Sequence, residues 1–185
     1  MTDRCTADMP MRGRPPNRPG RANVASSQRR QGSPMAGSVE AIYVSANHGE
    51  PKASIPHAEL RENVGLIGDR YAGHGVVSII EAEAVEAFNE TTGLSVSAGE
   101  TGRNVVTRGI RLNDLVGRTF RLGEATLKGF ELCEPCRVLG GRLATGSVRP
   151  QDVVKAFTHS AGIRARVVAS GRVSPGDVVA RLITA

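Results

Sequence analysis

The sequence predicts a mainly β fold with helical insertions, closing as a β-barrel. Three observations carry that expectation. Apolar or alternating runs of strand length recur at residues 39–44, 76–80, 125–132, 163–169 and 178–182. Glycine-bearing turns separate them. Helical spacing appears in only two or three short stretches, without regular βαβ alternation.

Val39-Glu40-Ala41-Ile42-Tyr43-Val44 alternates and reads as the first strand, with a turn after it at Asn47-His48-Gly49-Glu50-Pro51. Pro56-His57-Ala58-Glu59-Leu60 fits no period cleanly, and residues 65–75 are punctuated by glycine. Val76-Val77-Ser78-Ile79-Ile80 is apolar and β-branched, as a buried strand is. Ser78-x-x-Glu81 has the capping-box pattern, with Ile80, Ala84, Ala87 and Phe88 at helical spacing behind it. A helix is therefore expected over 81–91, stopped by Gly93. Residues 97–107 read as a loop that delivers Arg103 and Asn104 to a strand start. Leu112-Asn113-Asp114-Leu115 is a short turn or helix, and 119–122 with 125–132 form a hairpin around Gly123-Glu124. Pro150 sits near the first position of a second helix over 150–157. Residues 163–169 alternate as a half-buried strand, Gly171 turns the chain, 173–177 is a second turn and 178–182 the last strand.

The chain has 185 residues, enough for one domain with a core. Aromatics are 3% with no tryptophan, so the core must come from Val, Leu, Ile and Ala, and base-stacking platforms are nearly absent. Residues 1–36 hold seven arginines against Asp3 and Asp8, which leaves +1 of the net +6 for the rest of the chain. The folded part therefore has no nucleic-acid signature; only the arm offers one. Five prolines and no apolar periodicity make 1–36 an expected disordered extension, with the folded domain over 37–185. No apolar run approaches a membrane span, and no apolar h-region marks a secretory signal. Three cysteines do not build a disulfide framework and suit a reducing compartment, so a cytoplasmic location is expected.

The chemistry-bearing stretch is Leu132-Cys133-Glu134-Pro135-Cys136-Arg137, between a strand end and a short helical turn. Four readings fit a C-x-x-C here: a redox dithiol, half of a zinc site, two buried hydrophobes, or one functional thiolate with a neighbour. The dithiol lacks the helix-opening βαβ context, and zinc lacks a second ligand pair, because His48, His57, His74 and His159 are isolated. Arginine next to a thiol and exposed amides at a turn lower a thiol pKa. Arg103-Asn104 offers a planar cation for phosphate or carboxylate beside an amide able to pair with a heterocycle edge. His74, ahead of an apolar strand, is a weaker candidate. No P-loop, G-x-G-x-x-G or H-E-x-x-H pattern occurs.

One ordered set of residues resembles a known family. It runs Gly68-Asp69-Arg70, His74-Gly75-Val76-Val77-Ser78 and Gly102-Arg103-Asn104-Val105. It continues through Gly109-Ile110-x-Leu112-x-x-Leu115-x-Gly117, Leu122-Gly123-Glu124 and Glu134-Pro135-Cys136 to Gly176-Asp177-x-Val179. This is similar to the MOSC domain, named from the C-terminal domain of molybdenum-cofactor sulfurase, in its short stand-alone bacterial form. The resemblance covers about residues 38–183 and implies a β-barrel with helical insertions that binds a molybdopterin-type molybdenum cofactor. It maps the family cysteine to Cys136, as molybdenum ligand or sulfur carrier, and the cofactor contacts to Arg103 and Asn104, with His74 weaker. Arg137 or Arg142 would stabilise the anion, and Cys133 is an extra thiol. The implied activity is reduction of N-hydroxylated compounds, such as hydroxylaminopurine-type bases, with electrons from a separate reductase. The alternative is persulfide carriage or cofactor handover, with a cysteine desulfurase as partner.

Overall fold

The computed structural model describes residues 36–182. The extension expected over 1–36 lies outside the described residues except for Ala36, which opens the first strand. The elements are β1 (Ala36–Val44), β2 (Ala53–Ile55), β3 (Ala58–Arg61), β4 (Gly65–Leu66), β5 (Val76–Glu81), α1 (Ala82–Thr92), β6 (Val105–Arg108), β7 (Thr119–Leu122) and β8 (Ala125–Leu132). They continue as α2 (Arg137–Leu143), α3 (Pro150–Phe157), β9 (Ile163–Ala169), β10 (Gly171–Val173) and β11 (Val178–Arg181).

Seven strands close a barrel in the order β11-β7-β8-β9-β5-β6-β1, and β1 returns to β11. The long first strand makes closure possible. Its opening residues pair with β11 (Ala36↔Ala180), its middle with β6 (Val39↔Thr107), and its end with β2 (Val44↔Ala53). Closure leaves few unpaired strand edges. β5 and β6 are parallel and are joined through α1, as a parallel pair requires a crossover. A small sheet, β10-β3-β4, stands beside the barrel.

Alternation along the strands fills the interior. Ile42, Val77, Ile79, Val105, Phe120, Leu122, Leu127, Ile163, Ala165 and Val179 belong to one buried cluster. A second cluster lies under the helices, where Ile80 and Val106 meet Val85, Phe88, Leu139, Leu143, Val153 and Phe157. Phe88 and Phe157 stack at 4.4 Å between centroids and tie α1 to α3. Truncating either ring costs about 3–5 kcal/mol. Helix α1 buries Ala82, Val85 and Phe88 and stops where Gly93 adopts φ 71° and donates its N–H to the Asn89 carbonyl. Among the described residues no helix is long and apolar enough to cross a membrane.

Two local expectations change. Ser78 lies within β5 and does not cap α1; Glu81 takes the N-cap position without a side-chain cap bond. The strand continues through Ser78 because β9 and β6 pair along it. The capping box forms instead at Ser97 and Glu100, ahead of Arg103. Residues 171–173 form β10 against β3 (Gly171↔Leu60) rather than a simple turn.

Candidate functional site

At the end of β8 the chain leaves the barrel and enters α2 through Cys133-Glu134-Pro135-Cys136. The N–H of Cys133 donates to the Gly162 carbonyl at 2.8 Å, which holds this loop to the start of β9. Pro135 keeps Glu134 out of the helical region. Glu134 then reaches sideways: its Oε2 accepts the His159 N–H at 3.1 Å and its Oε1 meets His159 Nδ1 at 2.7 Å. His159 sits at φ 60°, in the left-handed region, and its own carbonyl accepts from Asn113 Nδ2 at 2.8 Å. The loop is thus fixed from two sides before it delivers Cys136 to the N-cap of α2.

The two thiols differ. Cys133 is buried and Cys136 is exposed, and neither is in a disulfide. The Cys136 thiol is held below the ordinary thiol range. The Leu139 amide in the first turn of α2 contributes most, followed by the Val138 amide and the charges of Arg103 and Arg142; partial burial opposes them. The amides act on the sulfur without closing a side-chain cap bond. These contacts favour the thiolate form of an accessible, soft donor.

Arg103 follows Gly102 at the mouth of β6, and only 9% of it is exposed. Its Nε donates to the Ala161 carbonyl at 2.8 Å, Nη1 to Thr101 at 3.1 Å and Nη2 to Cys133 at 3.0 Å. Three neutral acceptors orient the guanidinium but do not neutralise it. Burial pushes its pKa down, and Arg164 and Arg142 add to that. The group stays charged, because arginine does not deprotonate in proteins. Two of its five N–H bonds remain for a ligand.

Asn104 is buried, and its amide is engaged at both ends. Its Oδ1 accepts from the Ser78 hydroxyl at 2.8 Å, and its Nδ2 donates to Asp69 Oδ2 at 3.0 Å and to the Tyr43 carbonyl at 3.3 Å. Its contribution to a ligand therefore runs through Ser78 and Asp69. Asp69 pairs with Lys52, and both side chains are sealed from solvent, at 2% and 1% exposed. Burial pushes the Asp69 carboxyl up, but Lys52 and the Tyr71 and Ser45 amides outweigh it and hold it below the usual carboxylate range. Burial lowers the Lys52 ammonium, and the Arg70 and Arg142 charges lower it further.

These groups surround a cavity of about 560 Å³. Its lining includes Cys136, Cys133, Arg103, Asn104 and His74, so five of the sequence candidates share one wall. His74 is exposed at the rim. Arg137 is exposed and does not line the cavity; Arg142 does, because α2 runs a full seven residues and turns that side chain back over Gly102. Arg70 and Arg164 also contribute. Arg164 pairs with Glu131, whereas among the described residues Arg70, Arg103 and Arg142 form no ion pair. The cavity therefore carries surplus positive charge beside a thiol. Neither Lys52 nor Asp69 is among the site residues expected from the sequence. Asp69 stood inside the Gly-Asp-Arg pattern, which was a signal; Lys52 carried none.

The MOSC domain profile matches residues 40–180 of the chain. Among solved structures, the fold is similar to the YuaD protein from Bacillus subtilis, at 18% identity, covering 78% of this chain and 94% of that one, with a TM-score of 0.71. It is similar to YiiM from Escherichia coli, at 22% identity, covering 82% and 72%, with a TM-score of 0.62. YiiM from Geobacillus stearothermophilus gives 18% identity, 80% and 75% coverage, and a TM-score of 0.62. At these identities the likeness concerns the fold. No curated protein matches the chain.

Proposed function

The chain belongs to the MOSC-domain family, a family associated with molybdenum-cofactor binding, and from that premise we propose that it binds a molybdopterin-type cofactor with Cys136 as the metal's thiolate ligand and reduces N-hydroxylated compounds. One observation carries the reading. An exposed thiol with a lowered pKa opens onto a cavity in which three guanidiniums have no carboxylate partner among the described residues.

The residues present fit such a group. Among the described residues no set of three or more His, Cys, Asp or Glu converges to hold a metal ion. A metal here would depend on one thiolate from the protein and on an organic ligand for its other donors, and thiolate suits a thiophilic metal. The surplus charge of Arg70, Arg103 and Arg142 suits an anionic organic ligand. When bound, the cofactor supplies two-electron redox chemistry. The chain's own part is to bind, orient and hold charge. The Leu139 and Val138 amides and the charge of Arg103 lower the Cys136 thiol pKa, and Asp69 holds Asn104 in the cavity lining. Reduction of a hydroxylamine, R–NHOH + 2e⁻ + 2H⁺ → R–NH₂ + H₂O, takes its electrons from a separate reductase protein.

The test is composition. Protein made in a cofactor-competent host should contain near-stoichiometric molybdenum and pterin, and Cys136→Ser should hold less metal. Absence of both from native and variant protein overturns the reading.

The exposure of Cys136 favours a second reading, sulfur carriage. The Cys136 thiolate would attack the outer sulfur of a desulfurase persulfide, forming a new S–S bond and releasing the donor thiolate. Incubation with a cysteine desulfurase and cysteine should then add one sulfur, about 32 Da, at Cys136. Reduced, accessible protein that gains no adduct excludes it.

A further inference from the structure

The outer face of the barrel beside the cavity is basic. Along β7, β8 and β9 the side chains of Leu122, Leu127, Ala165 and Val167 belong to the core, so Arg121, Lys128 and Arg166, one position away, point outward. Lys128 stands directly opposite Arg166 across the β8–β9 pair, and Arg121 lies diagonal to Lys128 across β7–β8. All three are exposed, and among the described residues none forms an ion pair. The carboxylates carried by the same hairpin are committed elsewhere. Glu131, near the end of β8, pairs with Arg164, and Glu124, in the turn before β8, accepts the Arg172 N–H at 3.2 Å. Like charges opposed across a ladder weaken a sheet, so folding alone gives no reason for this arrangement.

The basic face runs into the cavity. Phe130, two residues on from Lys128, lines the cavity and carries the Arg166 guanidinium 4.8 Å from its ring centroid. Val76 of β5, which pairs with Arg166, lines the cavity as well. At the opening, Tyr71 and Val138 line the cavity while staying 48% and 68% exposed. Val138 is two residues from Cys136. Exposed apolar side chains at the centre, with arginine and lysine on one flank, have the composition of a protein-docking surface: an apolar, aromatic middle and a polar rim.

We propose that a small electron-carrier protein with an acidic face docks here, its carboxylates against Arg121, Lys128 and Arg166 and its redox centre toward the cavity mouth. The inference rests on the redox reading of the cavity, which draws its electrons from another protein, but docking itself does not require the cofactor. Cations grouped on one flank steer an acidic partner and fix its orientation, and charges at the rim act mainly on the rate of association.

Surface plasmon resonance on the full chain tests it, with an acidic flavodoxin and, separately, a single-stranded oligonucleotide as probes. The flavodoxin should bind with an association rate that falls as salt rises. A triple variant, Arg121→Glu with Lys128→Glu and Arg166→Glu, should lower that rate about tenfold or more. The arginine-rich segment 1–36 is identical in both proteins, so the difference reads the barrel face alone. Lys128→Glu by itself sets opposite charges across the ladder, so it should keep or raise the melting temperature while still slowing association. No flavodoxin binding, a rate untouched by the triple variant, or oligonucleotide binding lost through the same three residues overturns the proposal. On molybdenum-loaded protein, turnover driven by reduced flavodoxin should fall by a similar factor in the triple variant, whereas turnover driven by reduced methyl viologen should not fall. A viologen rate that falls as well means that the face acts on the cavity and not on a partner, which also overturns the proposal. If neither rate falls, the docking face is wrong and the redox reading stands. Face-dependent flavodoxin binding by protein that never acquires molybdenum or pterin sinks the redox reading alone.

Discussion

The Arg103 guanidinium donates from Nη2 to the carbonyl of Cys133 at 3.0 Å, so the buried cation of the cavity is tied directly to the cysteine loop. The same side chain reaches Ala161 and Thr101, which joins the loop before β9 and the turn before β6 to the stretch leading into α2. One residue therefore does two things: it closes three backbone acceptors, and it places positive charge near Cys136.

Substitution separates those roles. Arg103→Met should lower the stability read by urea unfolding by about 3 kcal/mol, because three carbonyls lose a charged donor while the burial cost of the cation is relieved. It should also raise the Cys136 pKa. Arg103→Lys keeps the charge but reaches fewer acceptors, so it should lose stability while leaving the thiol pKa near native. If the two variants change both readouts in parallel, the charge and scaffold roles are not separable.

The pH dependence of Cys136 alkylation tests the thiolate directly. A thiol whose pKa is lowered carries more thiolate at every pH below the ordinary range, near 8.5. In a Cys5→Ser background, iodoacetamide should react with Cys136 well below that value, and the rate should fall only as pH drops through the lowered pKa. Buried Cys133 should react far more slowly. Arg142→Gln should shift the midpoint upward, because Arg142 is one of the charges that lower it. A midpoint at the ordinary thiol value would remove the thiolate from both functional readings.

The parts legible in the sequence are those that local pattern determines. Alternation and turn glycines gave the barrel strands, and the apolar spacing ahead of Gly93 gave α1. The ordered family motifs brought Cys136, Arg103 and His74 to one cavity without any view of the fold. What stayed hidden depends on distant partners. Lys52 sits in a short polar loop that reads as surface; only its pairing with Asp69, seventeen positions on, makes it buried. The sequence suggests only a short helical turn over residues 137–139, whereas α2 runs through Gly140 and Gly141 to Leu143 despite their low helical propensity. Gly140 is there for packing: a Cβ would come within 2.7 Å of the Pro150 carbonyl, where α2 crosses α3. That close approach carries the helix on to Arg142 and so decides which arginine enters the cavity wall. Residues 171–173 likewise become a strand only because β3 lies beside them.

The Lys52–Asp69 pair should show in acid. The Asp69 pKa is lowered in the fold, so its contribution is present above the unfolded carboxylate value, near 4, and is lost as pH falls through the folded value. Asp69→Asn should cost about 3 kcal/mol at neutral pH, since it leaves a buried ammonium unpaired. It should also remove part of the acid dependence seen in urea midpoints measured from pH 6 downward. Lys52→Met with Asp69→Leu should cost less than Asp69→Asn alone, as replacing both charges strands neither. A double variant worse than the single one would mean that Asp69 matters mainly as the acceptor for Asn104, Ser45 and Tyr71.

Gly162 offers the sharpest structural test of the seam that carries the site. It sits at φ 90°, and a Cβ there would fall 1.9 Å from the Ile79 carbonyl, against the strand with which β9 pairs. Its own carbonyl receives the Cys133 N–H, and the carbonyl of Ala161 before it receives Arg103 Nε. Any side chain must therefore part β5 from β9 and shift both anchors of the cysteine loop. Backbone strain of about 1–2 kcal/mol adds to an overpacking cost of similar or larger size. Gly162→Ala should accordingly fail to fold or unfold at a much lower urea concentration. Gly146→Ala, whose Cβ would meet open space and whose backbone is not left-handed, should stay within about 0.5 kcal/mol of native. If Gly162→Ala folds with a near-native midpoint, the seam has slack. Alkylation of Cys136 in that variant would then show whether the loop had moved with it: an unchanged pH midpoint would mean that Arg103, rather than the barrel seam, fixes the thiol.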